Sequence, residues 1–95
     1  MNTGVVFYIT IRYTGSSLRL RAKKIFQNTT HEQFEIVAKN KTLIIRGDSP
    51  LLRNRGLKYK RINWHLVEGQ LANSYVLEQI IKQLDKHIRE LENET

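Results

Sequence analysis

Period-two alternation runs through the first two-thirds of this chain and commits it to a sheet. Residues 5–13 read Val-Val-Phe-Tyr-Ile-Thr-Ile-Arg-Tyr. Phe7, Ile9, Ile11 and Tyr13 fall on one side of an extended backbone, and Val6, Tyr8, Thr10 and Arg12 on the other, because successive side chains of a strand point to opposite faces. The β-branched and aromatic content suits that geometry. Thr14-Gly15-Ser16-Ser17 is a turn cluster, and residues 18–26 alternate again, with Leu18, Leu20 and Ala22 against Arg19, Arg21 and Lys23. The short link predicts a hairpin, and the slip at Lys24-Ile25 predicts a bulge or a strand end.

Beyond a polar stretch at 27–32, residues 33–39 place Phe34, Ile36 and Ala38 on one face. Asn40-Lys41 reads as a tight turn, since Asn tolerates positive φ. A return strand over 42–46 sets Leu43 and Ile45 opposite Ile44 and Arg46, and ends at Gly47-Asp48-Ser49-Pro50. Residues 51–61 read as a loop with a short extended piece at 57–60, and 61–67 as a last strand with Ile62, Trp64 and Leu66 inward. Trp64 is read as core, with an indole N–H that then needs a partner.

The period then changes. Over 73–92, Leu77, Ile80, Ile81, Leu84, Ile88 and Leu91 form one apolar stripe, with Asn73 or Ser74 as the cap, which is the pattern of an amphipathic helix. Glu78–Lys82 and Asp85–Arg89 are i,i+4 pairs of the favourable orientation. The same stripe also suits a two-stranded seam, but two heptads are too few to sustain one alone. Residues 93–95 are expected to fray. The expectation is one α+β domain over 1–95. A four- to five-stranded antiparallel, meander-like sheet (1–67) precedes one C-terminal amphipathic helix packed on one face. A chain of 95 residues suits one such core.

Charge is the second constraint. Residues 1–61 carry a net +10 and residues 62–95 a net −3, together giving +7. On the first hairpin, Arg12, Arg19, Arg21 and Lys23 alternate away from the apolar positions. Arg53, Arg55, Lys58, Lys60 and Arg61 crowd a stretch with no acid. Clustered Lys and Arg are what phosphate recognition needs, and Tyr8 and Tyr59 lie close enough in sequence to stack on bases. These nine cations are the candidate nucleic-acid contacts, with RNA or DNA as ligand. The alternatives are an acidic protein partner, a second copy of the chain, or a solvated face that blocks edge pairing.

No signature of chemistry accompanies the charge. There is no cysteine, which removes disulfides, thiolate nucleophiles and thiolate zinc sites and leans toward a reducing, cytoplasmic setting. His31, His65 and His87 lack ligand spacing. Asp48 sits in a turn where Asp serves the backbone. A triad of Ser49, His31 and Asp48 can be written for almost any chain of this size. No P-loop, K-homology loop or aromatic ribonucleoprotein strand occurs, and one helix excludes a helix-turn-helix. The N-terminal run is a strand and not a signal peptide, and no apolar stretch spans a membrane. The reading is a small basic binding module, not an enzyme, with no cofactor or metal.

Overall fold

The computed structural model describes residues 4–57, 59–71 and 74–93. Five strands run in the order of the sequence: β1 (Val6–Tyr13), β2 (Ser16–Gln27), β3 (Glu32–Ala38), β4 (Lys41–Gly47) and β5 (Trp64–Glu68). All neighbours are antiparallel, so the sheet is a meander. Two helices complete the chain, α1 (Ser49–Asn54) between β4 and β5 and α2 (Ser74–Asn93) at the end. The α+β architecture expected from the two periods is the one observed.

The first hairpin is closed by a two-residue turn in which Thr14 and Gly15 take φ of 48° and 77°. Positive φ at both positions is the turn that matches strand twist. It fixes the register Tyr13↔Ser16 through Val6↔Lys23. That register sets Ile9 against Leu20 and Phe7 against Ala22 on one face. The register slip falls where the alternation breaks, between Lys24 and Phe26. After the extra residue, Phe26 lies opposite Gln33 and Gln27 opposite Glu32. The second hairpin turns at Lys39-Asn40, one residue earlier than the sequence reading, with Lys41 already in β4.

One face of the sheet holds the core: Ile9, Ile11, Leu20, Ala22, Phe34, Ile36, Leu43 and Ile45 are all buried. Val76, Ile80, Leu84 and Ile88 of α2 are buried with them. The buried stripe recurs every fourth residue and includes Val76. Leu91 is half-exposed and lies outside it. Phe7 stacks on His87 with ring centroids 3.8 Å apart. Gln79 bonds to Arg12, so α2 runs antiparallel alongside β1. The Asp85–Arg89 pair forms at 2.9 Å.

The stretch after β4 differs from its expected form. Residues 49–54 are a short helix and not part of a loop. Pro50 occupies its first turn, where the missing amide costs nothing, and Leu52 anchors it in the core. The Asp48 carboxylate accepts from Asn63 N at 2.8 Å and Asn63 Nδ2 at 3.1 Å. This ties the start of α1 to the approach of β5. β5 begins at Trp64, three residues later than the sequence reading. The Trp64 ring lies on the backbone of Gly47, so close that a Cβ there would sit 2.7 Å from its Cζ3. Its Nε1 is buried without a partner among the described residues. Asn73, the other candidate cap of α2, lies outside the described residues, as do Glu94 and Thr95.

Candidate functional site

The helices cover one face of the sheet and leave the other open, and the open face is where the first hairpin directs its cations. Thr10, Arg12, Arg19 and Arg21 are exposed there, and Lys23 is half-buried. The register sets Tyr8 opposite Arg21, Thr10 opposite Arg19 and Val6 opposite Lys23. Arg19 folds diagonally over Tyr8, its guanidinium carbon 4.2 Å from the ring centroid, a cation–π contact that leaves the charge in solvent. Tyr8 remains 55% exposed.

The face continues onto β3 and β4. Arg21 neighbours Val37, and Lys23 neighbours Glu35, which in turn lies opposite Ile44. Arg46 lies opposite Gln33 and His65. With its amide oriented to suit, the Gln33 oxygen accepts from Arg46 Nε at 3.2 Å and Nη2 at 3.1 Å. That partner is neutral, so it orients the guanidinium without cancelling its charge. Across β1 to β4 the open face carries Arg12, Arg19, Arg21, Lys23 and Arg46 against the single carboxylate Glu35. The other acid of these strands, Glu32, is buried on the helix side. It lies 3.0 Å from Lys24 Nζ.

The remaining candidate cations lie elsewhere. Arg53 is half-buried on α1 and donates to Ser49 Oγ at 3.0 Å. Beside it Asn54 donates to Thr29 O, and Leu51 N to Thr30 O, so α1 sits against the β2–β3 loop. Arg55 follows α1. The carbonyl of Lys60 accepts from Arg89 Nη2 at 3.1 Å, and Arg61 lines a groove with Trp64, Lys82, Asp85 and Arg89. Lys60 and Arg61 therefore belong to the helix layer, with the sheet between them and Arg19 or Arg21. Lys58 lies outside the described residues. Of the nine candidates, the fold brings together the four on the first hairpin and separates Arg53, Arg55, Lys60 and Arg61 from them.

Two residues join the open face that the sequence reading did not assign to it. Arg46 was legible as facing away from Leu43 and Ile45, but the neighbours of its strand were not. Phe26, 41% exposed, reaches this face only because the bulge shifts the alternation by one. Tyr59 is 78% exposed and lies in the segment after α1, away from the hairpin cations.

The groups with catalytic potential occupy structural positions. Asp48 serves Asn63, and His31 Nδ1 pairs with Thr30 Oγ1 at 2.8 Å. An apolar cleft of about 250 Å³ opens between the sheet and the start of α2, and Tyr13 and Lys41 are its polar-tipped lining residues. Among the described residues no three His, Asp or Glu side chains come close enough to hold a metal ion, and no helix is long and apolar enough to cross a membrane. No family model, curated protein or solved structure matches this chain, so no relative supplies a role for these residues.

Proposed function

We propose that the protein is a small, non-enzymatic binding module for single-stranded nucleic acid, RNA or DNA, which lies across the open face of the sheet. The observation that carries this reading is the cross-strand juxtaposition of Arg12, Arg19, Arg21 and Lys23 with Tyr8 on the sheet face that the helices leave open. There β1 to β4 place one carboxylate, Glu35, and β5 adds Glu68 opposite Ile44 at the far edge. Backbone phosphates are drawn by clustered cations, and base faces stack on exposed aromatic rings and on guanidinium planes. Tyr8 and Phe26 supply such rings here, with cations between them along β2. Exposed rings and guanidinium planes on a sheet face stack on unstacked bases, which favours a flexible single strand over a duplex whose bases are already stacked.

The contacts in this reading are Arg12, Arg19, Arg21, Lys23 and Arg46, with Tyr8 and Phe26 as platforms. Arg53, Arg55, Lys60 and Arg61 are not among them. The experiment is fluorescence anisotropy with labelled single- and double-stranded RNA and DNA over a range of salt. Four or five phosphate contacts on a single strand give a slope of log K against log salt near about −3. Arg19→Glu with Arg21→Glu is expected to abolish binding, and Arg55→Glu with Arg61→Glu to leave most of it. Absence of binding at micromolar protein and low salt, or the reverse ranking of the two double variants, refutes the proposal.

A further inference from the structure

β1 forms one edge of the sheet, and an edge strand directs half of its backbone groups into solvent. Which half is fixed here by Gln79. Its side-chain amide accepts from Arg12 N at 2.8 Å and donates to Arg12 O at 2.6 Å. A carboxamide that makes both bonds at once imitates one residue of a neighbouring strand. Arg12 therefore faces outward, and the alternation of an antiparallel ladder gives Thr10, Tyr8 and Val6 the same outward N–H and C=O. None of these three meets another described residue through those groups.

Natural edges are blunted by charge, proline or a covering element. The stretch from Val6 to Thr10 has no charge and no proline. The one charged residue of β1, Arg12, is the one that Gln79 already covers. At the middle of the bare stretch a groove of about 140 Å³ opens between β1 and α2, lined by Tyr8 and Ile9 on one side and by Gln83, Lys86, His87 and Glu90 on the other. The helix thus stops one end of the edge at Arg12 and flanks its middle at Tyr8 and Ile9.

We propose that the β1 edge from Val6 to Thr10 accepts an acidic, extended peptide as a sixth strand, seated in the groove between β1 and α2. Main-chain pairing supplies affinity, and alternate side chains supply selection, as in other strand-addition complexes. One row of the peptide's side chains would project beside Tyr8 toward Arg19, Arg21 and Lys23, which makes carboxylates the complementary residues there. A second copy of this chain is disfavoured. Pairing β1 with β1 would put both sets of Arg12, Arg19, Arg21 and Lys23 on one continuous face. Nucleic acid offers no amide ladder, so this edge site is distinct from the open-face site.

The test is amide hydrogen exchange, residue by residue, on the intact protein with an alternating valine–glutamate heptapeptide. The amides of Val6, Tyr8 and Thr10 are expected to slow about tenfold or more, with Phe7, Ile9 and Ile11 unchanged because they already pair with β2. A valine–lysine peptide and a proline–glutamate peptide are expected to do neither. Gln79→Ala should add Arg12 to the protected set and tighten binding about threefold, through one further ladder pair. Thr10→Pro removes an outward amide without touching the β2 ladder and should abolish the protection. Equal protection by the lysine peptide, acidic-peptide binding without slowing at these amides, or peptide-free protection that grows with protein concentration would each overturn the proposal. The last of these outcomes would point to self-pairing.

Discussion

Thr14 is the residue where the fold asks for a conformation its side chain resists. A β-branched residue at φ 48° crowds its Cβ against the following carbonyl, at a cost of about 1 kcal/mol that Asn or Gly largely avoids. Thr14→Asn leaves Gly15 in place and makes the preferred Asn-Gly pair. It is expected to raise unfolding stability by about 0.5–1 kcal/mol in urea titrations. Lys24 and Glu32 present the opposite case, a buried charge with one counter-ion. Glu32 is 1% exposed, and Lys24 Nζ at 3.0 Å lies off the hydrogen-bonding directions of its oxygens. Lys24 also donates to Gln27 Oε1 at 2.9 Å. Lys24→Met strands the carboxylate and is expected to destabilise by about 3 kcal/mol. Adding Glu32→Leu removes the stranded charge and should recover most of that loss. A double variant no better than the single one would mean that Glu32 finds another partner.

At the scale of elements, α2 separates two readings of one apolar pattern. Heptad spacing counts Leu91 with Leu84 and Ile88, whereas packing on the sheet buries Val76, Ile80, Leu84 and Ile88 and leaves Leu91 50% exposed. Leu84→Ala opens a void under a fully buried side chain and should cost about 3 kcal/mol. Leu91→Ala should change stability by no more than about 0.5 kcal/mol. Equal losses at the two sites, measured by chemical denaturation, would restore the seam. β1, β3 and β4 were legible because their alternation persists over seven residues or more and burial largely follows it, whereas β5 has only five residues and its start was read three residues early. α1 was not legible, because six residues hold less than two turns and show no period. Pro50 read as the end of a strand when it was also the start of a helix. The candidate site divided in the same way. Alternation placed Arg12, Arg19, Arg21 and Lys23 on one face. Nothing in the spacing of Arg53, Arg55, Lys60 and Arg61 carried their location, which depends on how Leu52 and Ile62 dock. Phe26 was hidden by the bulge that turned it outward.

The molecule as a whole buries one side of its sheet under α2 and exposes a row of cations on the other, and the second choice works against folding. Arg21 has Arg19 and Lys23 two residues away on the same strand and face, and its cross-strand neighbours Tyr8 and Val37 carry no charge. Like charges at such spacing repel, by tenths of a kcal/mol each when exposed, and salt screens them within about 8 Å at physiological strength. Arg21→Gln should therefore stabilise the fold by about 0.3–0.5 kcal/mol at low salt and by nothing measurable at molar salt. The same substitution should weaken binding of a single-stranded oligonucleotide about tenfold at low salt, since one phosphate contact is lost. Glu35→Gln predicts the reverse pair of signs. Removing the only carboxylate that β1 to β4 place on the open face leaves Lys23 without its cross-strand partner, lowering stability slightly and tightening binding. Opposite movement of stability and affinity in both variants is the signature of a surface kept cationic for a polyanion. If Arg21→Gln stabilises and leaves affinity unchanged, the charge on this face serves solubility and edge protection instead, and the ligand has to be sought elsewhere on the molecule.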